Sequence, residues 1–129
     1  MSTMSSLGLS FSLPFPLSAL SPNSRVHRTV VGKEKAIYRH KARIEAKQAR
    51  IRRDISKPDI KAHIESCGGK LPITITFCPR RAMDDDNIIA SFKAGRDGIA
   101  DSLEIDDIIF VPTYRFEPPN KKAWVRVEF

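Results

Sequence analysis

Residues 70–79, KLPITITFCP, constrain the fold of this chain more than any other segment. Apolar Ile73, Ile75 and Phe77 alternate there with hydroxyl and thiol side chains. An alternation with a period of two residues places the two kinds of side chain on opposite faces of a strand. The segment therefore predicts a strand with one apolar face, which needs other strands beside it.

The remaining patterns predict two long helices and three more strands. Gly95 and Gly98 weaken the second helix by about 1 kcal/mol each relative to alanine, and they permit close packing. The fold class expected is α+β, a small mixed β-sheet with two main helices packed on it. The expected elements are a strand at 9–15, a helix at 33–53, a connector around Pro58 and Gly68–Gly69, a helix at 88–104, and two strands within 108–129 that EPPNKK joins as a hairpin.

The helix at 33–53 combines a narrow apolar stripe with a strong excess of positive charge. Ile37, Ile44 and Ile51 recur every seven residues, with Tyr38, Ala42 and Ala49 nearby, and nine basic residues oppose two acidic ones. The helix face is either an ordinary solvated surface or a ridge that contacts phosphates. The charge imbalance favours the phosphate-contacting ridge.

Composition limits the class of protein. A chain of 129 residues with 41% hydrophobic and 29% charged residues is typical of one soluble globular domain, and its net charge of +7 is common among nucleic-acid binders. Residues 1–8 are expected to be a flexible N-terminus and residues 9–129 a single domain. Neither a basic signal region nor a long apolar run is evident, and free thiols are expected at Cys67 and Cys78, so a cytoplasmic protein without a membrane span is expected.

Acidic residues are concentrated between Ala82 and Asp107, where eight acids stand against two cations. If the strand continues into residues 84–86, Asp84 and Asp86 lie on the same side. Such a pair of carboxylates suits Mg²⁺ or Mn²⁺, which prefer oxygen ligands. The alternative is that the acids only cap and solvate helices, with Asn87 or Asp86 capping a helix that starts at Ile88. No more than helix capping and turn solvation is expected of Asp101 and Glu104.

Two segments resemble the RusA family of Holliday junction resolvases. LPFPLSALSPNSRVH is similar to the family's N-terminal strand and polar loop, and DDDNIIASFKAGRDGIADSLEIDD is similar to its Asp-x-Asp-Asn signature, helix and Asp-Asp pair. The resemblance implies an α+β homodimer that binds four-way DNA junctions and nicks them with Mg²⁺, for which Mn²⁺ substitutes. It covers residues 9–129, which would form one RusA-like nuclease domain.

Carried over by position, the resemblance assigns the metal ligands and catalytic carboxylates to Asp84, Asp86 and Asp107, with Asp106 as the near alternative. Asp97, Asp106 and Asn87 are candidates for supporting positions around the metal. The sequence departs from the family at Ala90, where many members have a lysine, and at Leu17, where a proline is usual. Lys93 lies about one helical turn from Ala90 and is expected to supply the missing catalytic cation.

Contacts with DNA phosphates are expected from basic residues in the long helix and in two loops. These are Arg39, Arg43, Lys47, Arg50, Arg80, Arg81, Lys121 and Lys122. Two alternatives remain open. The first is a metal-dependent nuclease with the same site that acts on other branched or single-stranded DNA. The second is a junction-binding protein with weakened catalysis.

Overall fold

The strand predicted from the alternating segment lies inside a four-stranded sheet. A computed structural model describes residues 7–22 and 24–129, so most of the expected N-terminal tail, residues 1–6, lies outside the described residues. Leu7 packs against the hydrophobic core. The elements are β1 (Ser10–Pro14), α1 (Arg28–Arg52), α2 (Lys57–Ser66), β2 (Leu71–Cys78), α3 (Asp85–Ser91), α4 (Lys93–Leu103), β3 (Phe110–Phe116) and β4 (Trp124–Glu128), with 3₁₀ turns at Ser18–Leu20 and Asp107–Ile109.

The sheet is mixed, as expected, but its strand order contradicts the predicted hairpin. The order is β1-β4-β2-β3, with β2 parallel to β3 and antiparallel to β4. β2 separates β3 from β4 because it is buried along most of its length and takes a central position. Pro112 lacks a backbone N–H, which suits β3 to the edge of the sheet.

The long helix extends further toward the N-terminus than predicted and buries a different face. The side chain of His27 accepts a hydrogen bond from the backbone N–H of Thr29, 3.1 Å away, at the start of α1. The isoleucine stripe is exposed, at 57% for Ile37, 42% for Ile44 and 58% for Ile51. The buried face consists of Tyr38, Ala42 and Ala49, which the sequence places near the isoleucines, together with Ala46.

Small residues on that buried face let α1 and α4 approach closely. A Cβ built on Gly98 would lie 2.1 Å from the backbone carbonyl oxygen of Arg39 and 2.9 Å from the Cβ of Ala42. One built on Gly95 would lie 2.8 Å from the ring of Tyr38. The expectation that the glycines permit close packing is therefore confirmed, and this contact fixes α4 against α1.

Residues 7–22 and 24–129 contain four α-helices, where two main helices were expected. The connector contains α2, which begins with a capping box: Ser56 and Asp59 exchange hydrogen bonds of 2.8 and 3.3 Å between side chain and backbone. The helix expected at 88–104 is divided at Phe92, which ends α3 and precedes α4. The ring of Phe92 is buried edge-on against Phe77, with 5.5 Å between centroids.

In the part of the chain that the structure describes, no helix is both long enough and apolar enough to span a bilayer. Among the same residues, Cys67 and Cys78 are free thiols, as expected.

Candidate functional site

The three consecutive aspartates form the start of α3 rather than the end of β2. Asp84 is the N-cap residue, although its side chain makes no capping hydrogen bond, and Asp85 and Asp86 lie in the first turn. All three are exposed and, with Met83 and Asn87, line one open depression. The strand continuation proposed for residues 84–86 is therefore wrong, because β2 ends at Cys78 before Pro79. The predicted cap at Asp86 or Asn87 is wrong as well, since the helix begins earlier.

Negative charge at this position is physically favourable. The free backbone N–H groups and the dipole of a helix N-terminus stabilise nearby anions. Among residues 7–22 and 24–129, none of Asp84, Asp85 and Asp86 takes part in an ion pair. The turn thus presents three carboxylates to solvent without neutralising partners.

Lys93 connects the start of α4 to the second acidic segment. Its Nζ donates to Asp97 Oδ1 at 2.9 Å and to Asp107 Oδ2 at 2.5 Å. Arg96 adds a hydrogen bond of 3.0 Å to the backbone carbonyl of Asp107. The hydrogen bond from Lys93 holds the pKa of Asp107 below its usual value, and the same contact raises the pKa of Lys93.

Arg39 extends this charged cluster to α1. Its Nε and Nη2 donate to the two carboxylate oxygens of Asp101 at 2.7 and 2.9 Å, a bidentate contact. The pKa of Asp101 is lowered mainly by this contact. Arg39 Nη1 also lies 4.0 Å from Asp97. We call the group Arg39, Lys93, Arg96, Asp97, Asp101 and Asp107 the charged cluster.

The charged cluster borders an open groove between α1 and the α3–α4 segment. The groove has a volume of about 930 Å³ and its lining includes Arg39, Ala90, Lys93 and Asp97. Ala90 and Lys93 therefore share one wall, although Lys93 is engaged with carboxylates. The remaining acid of the later pair, Asp106, accepts a hydrogen bond of 3.1 Å from the backbone N–H of Ile108.

The expected metal ligands are not gathered into one set. Within residues 7–22 and 24–129, no group of three or more carboxylate, imidazole or thiol side chains is arranged to hold a metal ion. The acidic turn by itself offers carboxylate oxygens, the donors that Mg²⁺ prefers. Mg²⁺ commonly uses only one or two protein carboxylates, so the turn does not need further residues to bind it. Asp107 could join such a site only if Lys93 released it.

The predicted DNA-contacting residues fall into two groups. On α1, Arg43 and Lys47 are exposed, Arg50 is half-buried, and Arg39 is engaged with Asp101. Arg80, Arg81, Lys121 and Lys122 are exposed in the loops before α3 and before β4. A hydrogen bond of 2.9 Å from the backbone N–H of Asn120 to the carbonyl of Pro79 joins these two loops.

The sequence analysis did not predict the ion pairs that two acids and one arginine form in this region. Asp101 and Glu104 do more than cap or solvate α4, because they pair with Arg39 and Lys57 respectively, although Glu104 is also the C-cap residue of α4. The signal in the sequence is that Lys93, Asp97 and Asp101 are spaced four residues apart, which places all three on one helix face. Nothing local to the sequence marks Arg39 as their partner, since it lies on a separate helix.

Comparison with known proteins yields a similarity without a described activity. No family model matches the chain. Over 104 residues it is 41% identical to a protein of Xylella fastidiosa (strain Temecula1 / ATCC 700964) that is described as uncharacterized. The match covers 79% of this chain and 62% of the relative, so the chain spans less than two thirds of the relative's length.

Proposed function

We propose that the protein is a Mg²⁺-dependent endonuclease that resolves Holliday junctions by paired symmetric nicks, as the resemblance to the RusA family implies. The observation that carries the proposal is the contact of Lys93 with Asp107. It joins the helix that follows the Asp-x-Asp-Asn signature to the later acidic pair. The helix after the signature and the later acidic pair thus contribute to one polar region, and the exposed acidic turn lies at the start of α3, which directly precedes that helix.

The residues of this region have distinct proposed roles. Asp84 and Asp86 would hold the metal, and Asp107 would complete the site after Lys93 turns toward the phosphate. The bound metal would supply charge neutralisation and an activated water for phosphodiester hydrolysis. Lys93 would stabilise the negative charge that develops on the phosphate. Asp97 would keep Lys93 in place, since its carboxylate lies 2.9 Å from the lysine Nζ.

The proposed activity also implies an assembly and a compartment. Two sites are needed to nick a four-way junction symmetrically, so we propose a homodimer. A substrate formed during DNA recombination and repair implies that the protein acts in the cytoplasm. Mn²⁺ is expected to replace Mg²⁺ because both accept carboxylate and water ligands.

One observation favours a second function, junction binding with weakened catalysis. Asp107 is held by Lys93 and Arg96 rather than being free for a metal, and Ala90 provides no second cation. In that case the basic residues would bind branched DNA and no strand would be cut.

A panel of labelled DNAs separates these functions. Four-way junctions, flaps, forks, single strands and duplexes are incubated with the protein in Mg²⁺ or Mn²⁺. We expect the junction to be nicked in preference to the others. Preferential cutting of flaps or single strands would identify a nuclease of another specificity. Tight junction binding without nicks in either metal would identify the binding protein.

Two matched variants locate the site in the same assay. Asp86→Asn should abolish nicking, whereas Asp85→Asn should leave most of it, because Asp85 is the middle residue of the signature and has no assigned role. Equal losses in both variants would indicate a general electrostatic effect of the turn and contradict the assignment of Asp86.

A further inference from the structure

One face of the β-sheet carries a row of polar and basic side chains that sequence analysis did not single out. Strand pairing places Ser12 opposite Arg126, and Arg126 opposite Thr76. Thr76 in turn lies opposite Arg115. Ser12, Arg126, Thr76 and Arg115 therefore form one row across all four strands, which we call the sheet row. The alternate residues, such as Val125 and Ile75, are buried in the core.

The sheet row has two positive charges, and neither of them is paired with the acid on the same face, Glu128. Adjacent strands lie about 4.8 Å apart, so the backbones of Arg115 and Arg126 are separated by about 10 Å across the strand of Thr76. Both arginines are exposed, and in the described part of the chain neither forms an ion pair. Thr76 is only 7% exposed, so it forms the floor between them.

An aromatic ring positions one of these charges. The guanidinium carbon of Arg126 lies 5.4 Å from the ring centroid of Trp124. Stacking on the indole restricts an arginine side chain without using its hydrogen-bond donors. Arg126 thus keeps its donors available for an anion.

The sheet row continues into the two basic loops. Trp124 pairs with Cys78, the last residue of β2, so the loops that carry Arg80, Arg81, Lys121 and Lys122 leave the same end of the sheet. Besides the Asn120–Pro79 backbone bond, the Cys78 thiol donates to the carbonyl of Pro118 at 3.3 Å. The acidic turn follows the first of these loops within a few residues.

We propose that the sheet row and the two basic loops form a surface that binds the sugar-phosphate backbone of DNA and directs it toward the acidic turn. The proposal rests on the proposed function for its substrate class. Six cations contribute, Arg80, Arg81, Arg115, Lys121, Lys122 and Arg126, and the acids within the same strands and loops are Glu117 and Glu128, apart from the acidic turn to which the first loop leads. This excess of positive charge fits a polyanion. It disfavours a second copy of the same face, because the arginines would then oppose one another.

Trp124 provides a direct measurement, since it is the only tryptophan of the chain. Its fluorescence is recorded while a four-way junction or a duplex is added in EDTA, so that no cleavage occurs. DNA on this face should change the emission of Trp124 in a saturable manner. Unchanged emission during binding that a labelled DNA reports independently would place the DNA elsewhere and overturn the proposal.

The double variant Arg115→Gln/Arg126→Gln tests the row itself. It retains most of each side-chain stem and should weaken DNA binding at low salt by roughly tenfold or more. The dependence of log Kd on log salt should become shallower by about two, because each lost phosphate contact contributes about 0.9. Circular dichroism confirms that the variant is folded.

Lys61→Gln/Lys70→Gln is the matched control, since it removes the same charge from exposed positions on α2 and just before β2, outside the sheet row and the two basic loops. It should leave the salt dependence nearly unchanged. Equal effects in the two double variants would mean that DNA binding depends on net charge and not on the position of the arginines in the sheet row, which would overturn the proposal. Concentration-dependent self-association that the arginine variant alone abolishes would identify a second copy as the occupant, which also overturns it.

The two proposals can fail separately. DNA binding that depends on Arg115 and Arg126, combined with no nicking in any metal, would retain the surface and reject the nuclease. Junction nicking with unchanged affinity in the arginine variant would retain the nuclease and reject the surface.

Discussion

The contact between Gly98 and α1 offers a demanding test of the fold, because the same substitution at another glycine should have the opposite effect. Gly98→Ala would place a Cβ 2.1 Å from the carbonyl oxygen of Arg39, far inside van der Waals contact. That oxygen belongs to the backbone of a long helix and cannot rotate away. The helices would have to separate, and the adjoining contact between Arg39 and Asp101 would be disturbed.

The expected magnitude follows from two opposing terms. Overpacking costs about 3 kcal/mol when the neighbour is rigid, and replacing glycine by alanine in a helix returns about 1 kcal/mol. The net loss is about 2 kcal/mol. Unfolding entropy of about 2.1 cal/mol/K per residue then predicts a fall in Tm of roughly 7 °C for a chain of 129 residues. In Gly32→Ala the new Cβ meets no atom within 4 Å, so only the gain applies and Tm should rise by about 4 °C.

Thermal unfolding followed by circular dichroism measures both variants, and urea unfolding checks that the m-value is unchanged. The reasoning is refuted if Gly98→Ala is as stable as the wild type or more stable, which would mean that α1 and α4 do not pack as closely as described. A fall in Tm for Gly32→Ala would refute the helix-propensity gain used in the same calculation.

Two further predictions concern charge. Because hydrogen bonds from Arg39 lower the pKa of Asp101 below its ordinary 3.8, the stability that this pair provides is present above that pH and is lost as the pH falls through the folded value. Urea midpoints of wild type and Arg39→Gln should therefore differ near neutral pH and converge in acid; a difference independent of pH would contradict this. Mg²⁺ at about ten times its Kd should stabilise the protein by about 1.4 kcal/mol. The rise in Tm should be largely lost in Asp86→Asn and kept in Asp85→Asn, and the absence of any rise with Mg²⁺ or Mn²⁺ would contradict metal binding.

Local patterns in the sequence predicted the elements of the fold better than their arrangement. The alternating strands and the long basic helix follow from side-chain periodicity. β2 lies between β3 and β4 because both of its edges pair with neighbouring strands. A turn sequence such as EPPNKK does not show that a third strand lies between the two strands that it connects. The isoleucine stripe does not mark the buried face of α1. That face consists mainly of alanines, because the glycines of α4 let the two helices approach closely. α2 carried a readable signal, the capping box of Ser56 and Asp59.

The sequence identified residues of the candidate site but not the contacts between them. The sequence identified Asp84, Asp86 and Asp107 as acids of interest and Lys93 as a nearby cation. It could not predict that Lys93 contacts Asp107, since 14 residues and a helix separate them. The arginines of the sheet row were missed for the same reason: they become neighbours only through strand register.

The most direct test of the central claim is to map the nicks in a four-way junction that is labelled in turn on each strand. In Mg²⁺ the wild-type protein should cut two strands at symmetry-related positions, with Asp85→Asn behaving similarly and Asp86→Asn leaving the junction intact. A junction that is bound but uncut by the wild-type protein in both Mg²⁺ and Mn²⁺, or cut equally by Asp86→Asn, would contradict the claim that the acidic turn forms a metal-dependent resolvase site.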